Sequence, residues 1–252
     1  MKISVCGKGG SGKSTIVSLL AIQAASRGLE VLVVDSDESN SGLFHMLGFQ
    51  EAPVPLMELV GGKNQLKEKM KQPGIWAEQW IDPSDIPSPH VQRQNGLAMV
   101  SIGKILQSFE GCACPMGVLN REFLSKIRLN KDALAIVDME AGVEHFGRGI
   151  EKNIDTVLLV IEPSRESIYV AEKIRDMTAG MGKRPVAVLN KIGSGRLVTR
   201  LVKEIVEREI EVVGVLRNDP AVFEACLEGF PLNQGEAFHE AGGILDRLLI
   251  QP

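Results

Sequence analysis

The chain opens with an apolar run, KISVC, that reaches Gly7 and passes through a glycine-rich turn straight into a helical pattern over residues 13–27. A buried strand that turns so quickly into a helix must lay that helix back over its own sheet. The same alternation recurs along the chain. Short β-branched runs at 30–35 (EVLVVD), 134–139 (LAIVDM), 156–162 (TVLLVIE), 185–190 (PVAVLN) and 211–216 (EVVGVL) read as strands buried on both faces, with 97–103 (LAMVSIG) as a seventh. Helical patterns at 168–181 and 197–208 lie among them. Continuous apolar strands separated by helices predict an α/β fold with a mostly parallel sheet of seven or eight strands.

One domain over residues 1–252 accommodates this pattern, since α/β folds often exceed about 200 residues undivided. Residues 52–95 interrupt the rhythm with several prolines, both tryptophans and the basic stretch KNQLKEKMK. They read as an insertion, too short for a core of its own. With 28 Lys and Arg against 32 Asp and Glu, the formal charge of −4 gives no electrostatic grip on nucleic acid or anionic lipid. No run is long and apolar enough to span a bilayer. The start reads directly into a strand, so no cleaved signal peptide is expected, and the four cysteines form no disulfide framework. These features predict a cytoplasmic protein with reduced thiols, in which Cys6 and Cys226, both in apolar stretches, are small core residues.

Gly7, Gly12, Lys13 and Ser14 fit G-x-x-x-x-G-K-[ST], between a strand and a helix. Glycines let the backbone of Gly7, Gly9, Gly10, Ser11 and Gly12 wrap a phosphate with its N–H groups, and the following helix adds its positive end. Lys13 would reach the β- and γ-phosphates, Ser14 would hold Mg²⁺, and Thr15 completes the loop. The expected fold is therefore that of a P-loop NTPase.

Lys8 is one more lysine than such a loop needs. The run KGGSGKST resembles the deviant phosphate loop of the class that contains MinD, ParA and the nitrogenase iron protein. The resemblance implies that Lys8 crosses a dimer interface to the partner's nucleotide, so that hydrolysis depends on assembly, as with an arginine finger. It further implies that Asp37 orients the attacking water, Asp35 supports the Mg²⁺ shell, Asp138 holds Mg²⁺ through water, and the Gly142 N–H senses the γ-phosphate. Asn190 would bond adenine, and Arg217 lies where the class cradles the base. Asn190-Lys191 is followed by Ile192 and Gly193, without the aspartate of guanine-binding proteins, so ATP and ADP are the expected nucleotides.

FEGCACPMGVLN carries Cys112 and Cys114. In an extended segment, residues two apart point to one side, so both sulfurs can share a metal. A structural site takes four ligands, and the same pair from a second subunit is the simplest completion, giving a Cys₄ site for Zn²⁺ or Ni²⁺ on a twofold axis. A free thiol pair, a regulatory disulfide and a bridging iron–sulfur cluster remain alternatives. Glu144 and His145 invite a metal reading too, although a lone His beside a Glu near a helix start is usually structural.

CACP, VDMEAGVEHFGRG (137–149) and DTVLLVIEPSRESI (155–168) resemble the CooC-type ATPases, accessory proteins for nickel insertion into carbon monoxide dehydrogenase. The resemblance spans nearly the whole chain and is weakest over 52–95. It implies an ATP-driven homodimer with a metal at the cysteine pair and carbon monoxide dehydrogenase or acetyl-CoA synthase as client, not nucleic acid or membrane. Two other functions compete. An iron–sulfur ATPase like the nitrogenase iron protein would use two separated cysteines per subunit. A spatial regulator of the MinD or ParA kind would need a basic membrane helix or a basic face, and the tail GGILDRLLIQP has one cation, Arg247.

Overall fold

The computed structural model describes residues 1–39, 41–71, 74–104, 114–193 and 195–250. Its strands are β1 (Lys2–Gly7), β2 (Glu30–Asp35), β3 (Gln92–Gln94), β4 (Leu97–Ser101), β5 (Ala133–Asp138), β6 (Thr156–Ile161), β7 (Val186–Ile192) and β8 (Glu211–Arg217). They form one sheet in the order β3-β4-β2-β5-β1-β6-β7-β8. Every neighbouring pair is parallel except β3–β4. The seven expected strands are all present, within two residues at either end. The eighth, β3, is a polar QRQ strand with no apolar run to reveal it. It reaches β4 through Asn95-Gly96, both at positive φ (50° and 80°), as a two-residue hairpin turn requires.

The helices are α1 (Lys13–Ser26), α2 (Leu43–Met46), α3 (Leu56–Leu59), α4 (Gly62–Lys69), α5 (Cys114–Lys126), α6 (Glu144–Gly147), α7 (Arg165–Ala179), α8 (Gly195–Val206), α9 (Pro220–Glu228) and α10 (Glu236–Ile250). Local chemistry sets several of their ends. The Ser164 hydroxyl accepts the Ser167 N–H at 3.2 Å, so α7 begins three residues ahead of the apolar pattern that announces it. Asp219 caps α9 at the Ala221 N–H (2.9 Å), Pro220 takes the first helical position, and Gly229 ends the helix at φ 73°.

Alternation along the strands sends side chains into two cores. Ile3, Val5, Val33 and Ile136 pack under Leu19 and Leu20 of α1 and Ile244 and Leu248 of α10. Cys6, Val34 and Val137 face the other way, against Leu119 and Phe123 of α5, Ile174 of α7 and Ile205 of α8. Each such large apolar side chain contributes about 1.5–3 kcal/mol on burial. Residues 52–95 join the second core through Leu56, Leu66, Ile75, Ile81, Ile86 and Val91. Glu122 of α5 fastens them further by accepting the N–H groups of Ile75 (2.8 Å) and Trp76 (3.0 Å).

Connectivity places the site. The chain leaves β1 through α1 toward β2 on one side, while β6 lies on the other side of β1. Where strand order diverges in this way, a crevice opens at the carboxyl ends. Register aligns Asp35 with Asp138 and Gly7 with Val160 along that edge.

Candidate functional site

The turn between β1 and α1 is built for close approach. At Gly7 (φ 151°) a Cβ would sit 2.6 Å from the Val160 carbonyl oxygen, and at Gly12 (φ 97°) it would overlap the Asn190 amide. Only glycine fits either place. Gly9 and Gly10 form the exposed crest. Strand β7 holds the turn from behind: Asn190 Nδ2 donates to the Ser11 carbonyl (2.8 Å) and Lys191 Nζ to the Gly10 carbonyl (2.5 Å). With these carbonyls drawn aside and no side chain capping α1, the first N–H groups of that helix are left to serve an anion. Lys13 is 6% exposed. Ser11 Oγ is buried, with no hydrogen-bond partner among the described residues.

Ser14 Oγ donates to Asp138 Oδ2 at 2.5 Å. Asp138 is fully buried, and burial pushes its carboxyl up to about 7; the charge on Asp35 adds to this, while Ser14 and Lys13 oppose it. Burial likewise lifts Asp35 to about 6, against the pull of Lys104. A hydroxyl and a carboxylate in contact, with a second carboxylate beside them, are hard oxygen donors that favour a divalent cation. This donor set fits Mg²⁺ arriving with phosphate. Asp37 is half-buried, its Oδ1 accepting the N–H (3.0 Å) and hydroxyl (2.6 Å) of Ser39. The Gly142 N–H is donated to the Gly7 carbonyl at 3.2 Å, which ties the segment after β5 to the phosphate turn.

Lys8 folds back on its own chain. Its Nζ lies 2.9 Å from Glu162 Oε1 and 3.6 Å from Glu166, and Lys191 approaches Glu162 at 3.6 Å. The hydrogen bond that Lys8 donates to Glu162 raises the pKa of the Lys8 ammonium and lowers that of the Glu162 carboxyl.

A cavity of about 420 Å³ runs from the turn past Thr15 and Asn190 to Arg217 and α9. That volume suits a small-molecule ligand. Arg217 borders it, with Glu236 and Glu240 each 3.6 Å from its guanidinium. A larger cleft, about 520 Å³, opens at the amino ends of β2 and β4. Of its polar lining, Arg93 donates to the Pro83 carbonyl (2.5 Å) and Asn130 to Glu30 (3.1 Å), and it lies at the opposite ends of the strands from the glycine-rich turn. Chemistry and position both favour the smaller cavity.

The remaining expectations fare unevenly. Cys112 lies outside the described residues, and Cys114 opens α5. Cys6 is buried as expected, but Cys226 is exposed: α9 has no fully buried residue, Val222 and Ala225 pack against the edge of the core, and Phe223 and Cys226 line the nucleotide-side cavity. His145 is fully buried on α6 with its ring against Phe146 (centroids 4.6 Å apart), the structural setting. Among the described residues, no group of three or more His, Cys, Asp or Glu is placed to hold a metal, and no helix is long and apolar enough to cross a membrane. Three charged residues at the site have no role assigned from the sequence: Lys104, Glu162 and Lys191. Each stands at or just past the carboxyl end of a strand, and that position is the one signal they offer.

A mostly parallel sheet with a Gly-rich turn, buried lysine and Ser–Asp pair at its switch point defines a P-loop nucleotide-binding protein. Residues 3–232 match the CobQ/CobB/MinD/ParA nucleotide-binding domain, and the chain belongs to that family. It is an ATPase. An uncharacterized ATP-binding protein of Methanocaldococcus jannaschii is 39% identical over 238 residues, covering 92% of this chain and 94% of that protein. The carbon monoxide dehydrogenase accessory protein CooC of Rhodospirillum rubrum is 31% identical over 199 residues, covering 77% and 75%. Among solved structures, the septum site-determining protein MinD of Pyrococcus horikoshii with Mg-ADP superposes with a TM-score of 0.73 at 16% identity, over 98% of this chain and 95% of that one. At that identity the likeness concerns the fold alone.

Proposed function

We propose that this ATPase is a dimeric metallochaperone that assists nickel insertion into carbon monoxide dehydrogenase or the associated acetyl-CoA synthase. Two copies would face each other across the phosphate turns, and Cys112 and Cys114 of both would bind one Ni²⁺ or Zn²⁺ between them. The observation that carries this reading is the similarity to the R. rubrum accessory protein, joined to the C-x-C sequence whose second cysteine, Cys114, opens α5. Helix α5 also touches the nucleotide edge, because Asn120 Nδ2 donates to Ser36 Oγ at 2.9 Å, between Asp35 and Asp37. Metal and nucleotide affect one another only if each binds one arrangement of such a shared element more tightly than another.

In the proposed cycle the backbone of Gly9, Gly10, Ser11 and Gly12 and the side chain of Lys13 receive the phosphates. Asn190 and Arg217 border the base. Ser14 would hold Mg²⁺ directly and Asp138 through water, with Asp35 in support; bound there, the ion would neutralise phosphate charge. Asp37 orients water toward the γ-phosphorus. The new P–O bond forms as the bridging bond to ADP breaks, and Lys8 of the partner copy stabilises the charge that develops. Lys8 must first leave Glu162, and Gly142 must exchange the Gly7 carbonyl for phosphate.

Mass and metal content measured together, with and without ATP, test the reading. One metal per dimer is expected, lost when Cys112 and Cys114 are both changed to Ala while nucleotide binding persists. Lys8→Ala should still bind nucleotide but turn over slowly. A protein that stays monomeric with both Mg-ATP and nickel or zinc overturns the proposal. A brown chromophore would instead favour an iron–sulfur role. The iron-sulfur cluster carrier protein of Mycobacterium leprae, 24% identical over 247 residues and 57% of that protein, makes this the second reading.

A further inference from the structure

Lys104 stands three residues past β4 and belongs to no phosphate motif, yet it sits among the acidic residues of the site. Its side chain is only 15% exposed, and Nζ donates to Asp35 Oδ2 at 2.6 Å and to the main-chain carbonyl of Asp37 at 2.5 Å. Asp35 itself is 2% exposed. The other oxygen of Asp35, Oδ1, accepts the Asp37 N–H at 3.2 Å. Asp37 is thus gripped on both sides of its Cα, at the N–H through Asp35 and at the carbonyl by Lys104 directly. The Asp35 carbonyl accepts the Ile102 N–H at 2.9 Å, so the exits of β2 and β4 are joined there as well.

An ion pair on a protein surface contributes little and tolerates replacement. This one differs, because one partner is buried and the cation has a second, main-chain acceptor. The ammonium also balances one charge in a cluster that holds Asp35, Asp37 and Asp138 together at the ends of two adjacent strands. A lysine that served only to neutralise Asp35 would have no need of the Asp37 carbonyl. Fixing a backbone on both sides of one residue limits the directions its side chain can take, and small misplacements of a water-orienting group are costly to turnover.

We propose that Lys104 is a positioning residue for ATP hydrolysis, setting the backbone of Asp37 so that its carboxylate faces the attacking water. The assignment deepens the reading of Asp37 given above and rests on it. Lys104 contacts no phosphate in this scheme, so its loss should separate turnover from binding.

The test measures kcat and KM for Mg-ATP, affinity for a non-hydrolysable ATP analogue, and thermal stability. Lys104→Met should lower kcat about tenfold, equivalent to about 1.4 kcal/mol at the transition state, while analogue affinity stays within about threefold. Lys104→Arg, which keeps the charge beside Asp35, should recover part of the loss. In an Asp37→Ala background, Lys104→Met should remove nothing further, since both act through one group. Wild-type kcat in Lys104→Met, or losses that multiply in the double variant, overturns the assignment. If Lys104→Met lacks a cooperative thermal transition, Lys104→Gln, which keeps one donor without charge, is put through the same measurements and judged by the same outcomes. Full turnover in Asp37→Ala alone would overturn the Asp37 reading and this assignment with it. Loss in Asp37→Ala beside normal turnover in Lys104→Met would reject Lys104 only.

Discussion

Asn190 offers a direct check on how the phosphate turn is held before any nucleotide arrives. Its side chain is 6% exposed, and its amide donates 2.8 Å to the Ser11 carbonyl. Replacing it with Ala deletes one buried donor and strips the carbonyl of that bond, a loss of about 1–2 kcal/mol. In a chain of this size each kcal/mol moves the melting temperature by about 2–4 °C, so a fall of about 2–8 °C is expected without nucleotide. Asn190→Asp keeps the shape but sets an acceptor against an acceptor and buries a charge. That variant should lose more, about 3 kcal/mol. Differential scanning calorimetry of nucleotide-free protein should therefore rank wild type above Ala and Ala above Asp. An Asn190 that served the base alone would leave the nucleotide-free melting temperature unchanged. A shift under 1 °C in both variants would refute the structural reasoning.

Two further perturbations test contacts seen in the structure. Burial alone would push the Glu122 carboxyl up, but the N–H groups of Trp76 and Ile75, together with Lys126, outweigh it and hold the group below its ordinary range. Its contribution is present above the unfolded carboxyl value of about 4.3 and is lost as pH falls through the lower folded value. Acidification below about pH 4 should then loosen the segment that carries both tryptophans, read as a red shift in their emission. Glu122→Gln should flatten that pH response and cost about 1–2 kcal/mol in denaturant titration; an unchanged pH profile contradicts the assignment. At the other side of the site, Glu162→Gln removes the residue that anchors Lys8 in its own subunit. If Lys8 acts on a partner's nucleotide, freeing it should tighten ATP-dependent self-association about threefold to tenfold, because less of the protein is held in the incompetent arrangement. Analytical ultracentrifugation decides this, and equal dimer fractions in the two proteins would remove Glu162 as a restraint.

The elements that position this site were legible wherever one local signal decides the outcome. Apolar β-branched runs marked all seven long strands, and the glycine spacing from Gly7 to Gly12 marked the turn, because burial and positive φ are dictated by single residue types. Strand β3 was hidden in apolar content but not in turn chemistry, since Asn95-Gly96 is a hairpin signal whatever its flanks contain. Helix α9 was likewise announced by Asp219-Pro220 and Gly229 at its two ends, while its apolar run pointed to full burial and only Val222 and Ala225 reach the edge of the core. Lys8, Asn190 and Gly142 show a different boundary. Their places in the chain fix them at the carboxyl edge, yet their present partners are Glu162, the Ser11 carbonyl and the Gly7 carbonyl. All three of those bonds span more than a hundred residues, and no spacing rule reaches so far. Lys104 has no motif at all, because its role comes from β4 lying beside β2 in the sheet and not from any neighbour in sequence. What a motif specifies is which groups meet the ligand; what holds those groups before the ligand arrives is set by strand order. Substitutions at Glu162, Asn190 and Lys104 therefore disturb what holds the site's parts, whereas substitutions at Lys13, Ser14 and Asp138 remove the groups proposed to meet the ligand.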